Sequence, residues 1–294
     1  MIESVVARLR GPIIAAVRIV VGLLWLANLE WKRPPDFGRD LQNGLYKYVD
    51  SAVRNPVFPP YSWVVEHVVL KQYQLFGWMT LLLEATLCVC LLLGYRTTIA
   101  ALVGAGTSVS IMLSVLYYDK QYEWPWSYYL MIAIHLLLLA SLAGRHYGLD
   151  GLQGRGPDAW RRASSVLASV AILIGAVGLL VSAGGSFTAK QGHMVGWAKG
   201  ELKLLWFNPL SAVLTLLLGA ALLVAVRRRV AWLSFAVAGA FAVMALQVIV
   251  QWRYNKGNWT GGVFGGTGAT MAFWAALAVG TFVTVRGTRD AVVD

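Results

Sequence analysis

Arg18, Glu84 and His135 are the side chains whose types and positions could do chemistry, because each falls inside a long apolar run. A charge at bilayer depth costs ~2.5–3.5 kcal/mol even on a lenient insertion scale, so such residues are functional candidates by default. Arg18 lies about two turns into the run 12–29, Glu84 near the middle of 74–93, and His135 near the middle of 126–143. Ser108 and Ser110 sit at comparable depth on the run between. Opposite charges at similar heights on sequential spans predict a desolvated Arg18–Glu84 ion pair. That pair either fixes helix register or borders a polar cavity, where Arg18 holds an anion or Glu84 passes protons. His135 would extend the proton path.

Aromatic residues crowd one boundary of these runs, most densely at Tyr117, Tyr118, Trp124, Trp126 and Tyr129. One reading is the ordinary aromatic belt of a membrane–water interface. The other is a flat apolar slot for a quinone ring. Metal and haem chemistry are not expected. The four histidines, His67, His135, His146 and His193, show no ligand spacing, and only His135 lies at membrane depth. No glycine loop following a strand offers a nucleotide site.

The elements that must carry these residues are read from composition. Of 294 residues, 58% are hydrophobic and 13% charged, with mean hydropathy +0.62. Soluble domains carry ~25% charged residues, so this is an all-α polytopic membrane protein. Eight spans are expected, at 12–29, 74–93, 98–118, 126–143, 164–183, 209–226, 230–252 and 267–285. The net charge of +11 then reflects basic loops at lipid headgroups rather than nucleic-acid binding. Twelve arginines, among them Arg8, Arg10, Arg96, Arg145 and Arg227 to Arg229, crowd the short loops on the side of the termini. That density places both termini in the cytoplasm. The first apolar run leads into Asn-Leu-Glu-Trp-Lys, not a small-residue cleavage site. Cys88 and Cys90 read as packing residues.

Loop lengths repeat after four spans, which suggests two four-helix units, 1–151 and 152–294, related as a degenerate parallel repeat. Charges occupy the spans of the first unit alone, so buried chemistry belongs there and the second reads as scaffold or partner surface. In the first outer loop, residues 38–54 put Leu41, Leu45, Tyr48, Val49 and Ala52 on one face, which predicts an interfacial amphipathic helix. Residues 61–70 are apolar but too short to span, and are expected to enter the interface or cap the bundle.

Three segments resemble the DoxX/DoxD superfamily. VRIVVGLLWLANLEWKRPPDF looks like its opening Arg…Gly…Lys pattern, and LLLEATLCVCLLLGYRTTIAA is similar to its Glu…Leu-Leu-Gly-x-Arg-Thr signature. WPWSYYLMIAIHLLLLASLAGRHYGLDG is similar to its last helix, which ends in Ala-Gly-Arg…Leu-Asp. The long first loop with NPVFPP is closer to the DoxD branch, the membrane subunit of thiosulfate:quinone oxidoreductase. The resemblance covers residues 12–151 and implies a four-helix bacterial plasma-membrane unit linked to quinones and sulfur compounds. The family's recurring polar positions fall on Arg18, Lys32, Glu84, Arg96 and Arg145. On this reading, Lys32, Arg33 and Arg39 attract an anionic reductant such as thiosulfate at the outer face, and Arg18, Lys32, Glu84 and His135 form the catalytic set. Quinone binds at Tyr117–Tyr129, and a partner subunit or second copy completes the enzyme. The alternatives are a non-enzymatic membrane anchor or assembly subunit and, third, a small-molecule transporter.

Overall fold

A computed structural model describes residues 2–118, 125–190, 192–197, 202–254 and 262–293. Helix α1 (Ile2–Asn28) is followed by a partly buried non-helical stretch, then α2 (Gly44–Arg54) and α3 (Pro59–Val64), which runs into a π turn at Val65–Val69. The next helices are α4 (Tyr73–Leu93), α5 (Thr97–Val115) and α6 (Pro125–Ala140), closed by two short 3-10 turns at Ala143–Arg145 and Leu149–Leu152. Helix α7 (Pro157–Ser182) precedes an antiparallel hairpin, β1 (His193–Trp197) and β2 (Leu202–Phe207). The chain ends with α8 (Pro209–Arg228), α9 (Ala231–Tyr254) and α10 (Gly268–Val293).

Among the described residues, seven of these helices, α1, α4, α5, α7, α8, α9 and α10, are long and apolar enough to cross a membrane. The eighth expected span is α6, whose 16 residues are shorter than the ~20 that cross a bilayer directly. Local sequence explains the boundaries. Gly94 at φ +63° takes the left-handed turn that ends α4, and its amide donates to Cys90 O and Leu91 O. Proline at the first turn opens α7 and α8, where a missing N–H costs nothing. Asn208 and Ser211 form a reciprocal capping box on α8.

The bundle has two ends. One carries the arginine-rich turns at 94–97, 143–163 and 227–229; the other carries residues 29–72 and the hairpin. Helix α1 packs on α4, α5 on α6, and α7 on α8, while α10 touches α9, α7, α4 and α1. Helix α10 is the most buried of the seven candidate spans and joins the two sequence halves through one core. Glycines permit the closest approaches: Gly175 and Gly219 let α7 and α8 meet backbone to backbone.

Three expectations change. The hairpin was not foreseen; its strand β2 buries Leu205 and Phe207, and the Phe207 ring meets Phe273 and Trp274 of α10 edge-on. The amphipathic helix is shorter than 38–54, because Gly38 and Gly44 at positive φ turn the chain before Gly44, and Leu41 is exposed. Its buried face of Leu45, Val49 and Ala52 packs against α5 and the π turn, not against a lipid surface. This follows from the loop itself: Phe37 is fully buried against Trp78, and its carbonyl accepts from Tyr73 Oη at 3.0 Å and from the Tyr46 amide at 3.1 Å.

Gly77 makes that seat possible, since a Cβ there would fall 2.3 Å from the Phe37 ring. Gly77→Ala should therefore destabilise the protein by ~1–3 kcal/mol through overpacking. Gly106→Ala, where a Cβ meets nothing within 4 Å, is the control. Thermal unfolding in detergent checks this; equal melting temperatures for the two variants would contradict the seat.

Candidate functional site

Helix α1 ends at Asn28, and the chain folds back so that Lys32 points into the bundle. Lys32 Nζ lies 2.6 Å from Glu84 Oε2, and both residues are 1% exposed. The same ammonium donates to the Asn28 carbonyl at 3.0 Å, one of the orphan acceptors at the C-terminus of α1. Asn28 Nδ2 donates to Glu84 Oε2 at 3.2 Å, and Asn28 Oδ1 accepts from Trp31 Nε1 at 2.9 Å. Lys32 Nζ also stands 4.0 Å from the centre of the Trp31 ring. Thus one ammonium is held by a carboxylate, a carbonyl and an aromatic face.

From Trp31 an aromatic ladder leads outward. Its ring meets Tyr48 edge-on with centroids 5.5 Å apart, and Tyr48 meets Tyr118 at 5.5 Å. Lys47 Nζ caps the far end, 4.5 Å from the Tyr118 ring.

The expected Arg18–Glu84 pair does not form. Arg18 is buried, but its Nη1 donates to Leu91 O at 2.5 Å and Leu92 O at 3.2 Å, and its Nη2 to Tyr147 O at 3.3 Å. The guanidinium therefore caps the C-terminus of α4, where unpaired carbonyls and the helix dipole favour a cation. Glu84 lies seven or eight residues back along the same helix, about 10–12 Å away. Similar distance from the ends of two spans is not equal height, because α1 runs past the arginine end of α4: Gly11 of α1 faces His146 and Gly22 faces Leu92.

The Gly-Tyr-Arg-Thr and Ala-Gly-Arg…Leu-Asp segments meet at that same end. Asp150 accepts from the amides of Arg96 at 2.8 Å and Thr97 at 2.9 Å, so its carboxylate caps the N-terminus of α5. Its own amide donates to Gly94 O at 2.9 Å. A Cβ on Gly144 would fall 2.2 Å from Asp150 Oδ2, and one on Gly148 would fall 2.9 Å from Gly94 Cα. The side chains of Arg96 and Arg145 are exposed. Here the Gly-Tyr-Arg-Thr and Ala-Gly-Arg…Leu-Asp segments build interlocking helix caps.

His135 is buried with both ring nitrogens engaged. Nδ1–H donates to Met131 O at 2.7 Å, and Nε2 accepts from Trp25 Nε1 at 3.0 Å. This assigns a neutral imidazole, since a protonated Nε2 would oppose the indole donor. Gly104 gives the ring its space, because a Cβ there would lie 2.3 Å away. His135 thus locks α1 to α6 across α5 and is not routed into the Lys32–Glu84 unit.

Of the expected quinone residues, Tyr118 joins the ladder, whereas Tyr117 and Tyr129 are exposed. Trp124 and the side chain of Trp126 lie outside the described residues. Lys32 is not a surface cation. Arg33 and Arg39 do remain exposed. Sequence reasoning missed Asn28 and Tyr48; the i, i+4 spacing of Asn28 and Lys32 was the available signal. The buried unit can share a proton between carboxylate and amine with no change in its total charge, and the aromatic ladder adjoins it. Among the described residues, no group of three or more His, Cys, Asp or Glu could hold a metal ion.

Lys32→Met or Glu84→Gln alone should cost ~3–5 kcal/mol by stranding a buried polar partner, and the double variant far less. Arg18→Met combined with Glu84→Gln should be additive within ~0.5 kcal/mol. Unfolding equilibria for both cycles decide it; coupling in the Arg18 cycle alone would overturn the assignment. Asp150→Ala should cost ~0.5–2 kcal/mol through the lost cap, while Arg96→Ala stays within ~0.5 kcal/mol. Equal melting temperatures for these two would remove the capping role.

No protein-family model, curated protein or solved structure matches this chain, so the arrangement of its residues carries the functional reading.

Proposed function

We propose that the chain is the membrane subunit of a quinone-linked oxidoreductase of the DoxX/DoxD kind. The single observation that carries this reading is the fully buried Lys32–Glu84 pair joined through Trp31 to the Tyr48–Tyr118 ladder. Quinone reduction takes two electrons and two protons per ring. The ladder presents apolar faces of the right kind for the ring, and the ion pair is a proton reservoir at its inner end. Electrons come from an anionic sulfur compound: two thiosulfates join through a new S–S bond to give tetrathionate and release two electrons. Exposed Arg33 and Arg39 favour an anion at this end of the bundle. A partner subunit supplies the surface on which the sulfur chemistry occurs. The same reading sets the loop end outside a bacterial plasma membrane, both termini in the cytoplasm, and α6 as an eighth, short crossing.

A second reading, a non-catalytic anchor or assembly subunit, is favoured by His135 and Arg18. Two of the four residues expected to be catalytic are committed to hydrogen bonds that hold helices together.

Gentle solubilisation followed by solvent extraction tests the choice. The quinone reading expects a co-purifying quinone, lower occupancy in Tyr48→Leu at unchanged melting temperature, and at least a tenfold loss of quinone-dependent turnover in the Lys32→Met, Glu84→Gln double variant. A preparation that neither carries quinone nor responds to added quinone, yet retains a protein partner, establishes the anchor instead.

A further inference from the structure

The segment α3 and its π turn, residues 59–69, leaves an apolar surface uncovered: Phe58, Trp63, Val64 and Val68 are exposed. Two observations decide what covers it. First, the exposed apolar positions do not stop at the end of the segment. Beyond the turn at residues 70–72, exposed apolar positions resume at Leu75, Met79, Leu82 and Leu83, the uncovered face of the membrane-crossing helix α4. Buried positions likewise lie on both sides of the turn, Ser62 and Val65 before it and Tyr73, Gly77, Leu81 and Glu84 after it.

Second, the segment is pinned below the end of an apolar span. Tyr61 Oη is 2.9 Å from Ser110 Oγ and 2.8 Å from Ser114 Oγ, and donates to Ser110 O at 3.1 Å. Both serines belong to the last two turns of α5, which ends at Val115. A helix whose hydroxyl anchor reaches into a membrane-crossing helix cannot stand clear of the bilayer. Charged groups stand among these residues: Glu66, His67 and Lys71 are exposed, and the His67 ring stacks on Trp63 with centroids 4.8 Å apart. Exposed apolar side chains interspersed with charged groups and a tryptophan are the pattern of a segment lying at the headgroup–acyl boundary.

We infer that residues 58–71 form a lipid-embedded shelf, with Phe58, Trp63, Val64 and Val68 in the acyl region and Glu66, His67 and Lys71 among the headgroups. The partner of this surface is the bilayer itself, not a protein subunit. This inference is independent of the quinone reading. It also bears on that reading, because the shelf lies against α2, the helix that carries Tyr48.

Site-directed spin labelling of the full chain in phosphatidylcholine vesicles tests it. With Cys88→Ala and Cys90→Ala as background, labels replace Trp63→Cys and Val68→Cys. Met79→Cys serves as a hydrocarbon reference and Arg39→Cys as an aqueous one. Collision rates with oxygen, which partitions into acyl chains, and with a water-soluble nickel chelate give depth. The shelf predicts nickel collisions several-fold below those at position 39 and oxygen collisions approaching those at 79. Nickel collisions equal to those at 39 would place the segment in water and overturn the inference. Exclusion of both reagents would show a protein cover and overturn it equally. Should a labelled variant fail to fold, Trp63→Phe provides a second reading with tryptophan fluorescence and brominated lipids. The variant should lose a fraction of the lipid-quenched emission, and no loss would reject the shelf.

Discussion

A lysine ammonium and a glutamate carboxylate in contact, with almost no exposure, form the interaction on which the first half of the structure depends. Neither charge is tolerable alone at that depth, so the chain must bring Lys32 to Glu84 whatever else it does. Lys32 lies just beyond the end of α1, and meeting Glu84 forces the backbone to leave the helix at Asn28 and turn inward. The Asn28 carbonyl freed by that exit becomes a further acceptor for the same ammonium. The non-helical stretch that follows is anchored in protein at its inner part: Leu29 and Phe37 are fully covered, and Tyr73 and Tyr46 take up the Phe37 carbonyl. Helix α2 then returns over α5 and sets Tyr48 beside Trp31. One ion pair thus fixes the end of α1, the path of the loop and the position of the aromatic ladder.

Helix ends attract charge by the same electrostatics. Arg18 sits at the carbonyl end of α4, Lys32 at the carbonyl end of α1, and Asp150 at the amide end of α5. Each places charge opposite the partial charge of a helix terminus. The Gly-Tyr-Arg-Thr and Ala-Gly-Arg…Leu-Asp segments accordingly meet at one end of the bundle, while Lys32 and Glu84 lie toward the other. The glycines of those segments serve close backbone approach, most plainly Gly148 against Gly94.

Much of this was legible in the sequence. Hydropathy located the long helices, and the scarcity of charge in the spans singled out Arg18, Glu84 and His135. The pairing was not legible. Depth inferred from span ends assumed that neighbouring helices begin and end together, and α1 breaks that assumption by overhanging α4. Lys32 was read as a surface cation because it follows a helix end, where solvent is the usual surrounding; only the fold-back shows otherwise. The hairpin was hidden because β2 is apolar on both faces, so Leu204 to Phe207 carries no alternating signal. The shortened α2 was set by Gly38 and Gly44, whose positive φ ends the helical pattern before hydrophobicity does.

The central claim is that Glu84 is neutralised by Lys32 and not by Arg18. Solid-state NMR on the protein in bilayers, labelled with 15N at lysine and arginine side chains and 13C at glutamate carboxyls, measures this directly. A separation of 2.6 Å between Lys32 Nζ and Glu84 Oε2 predicts strong nitrogen–carbon transfer for that pair. Assignment by Lys32→Met should abolish the lysine cross-peak and leave the arginine spectrum unchanged. A Glu84 cross-peak to Arg18, or a Lys32 ammonium in exchange with bulk water and without a carboxylate partner, would contradict the account.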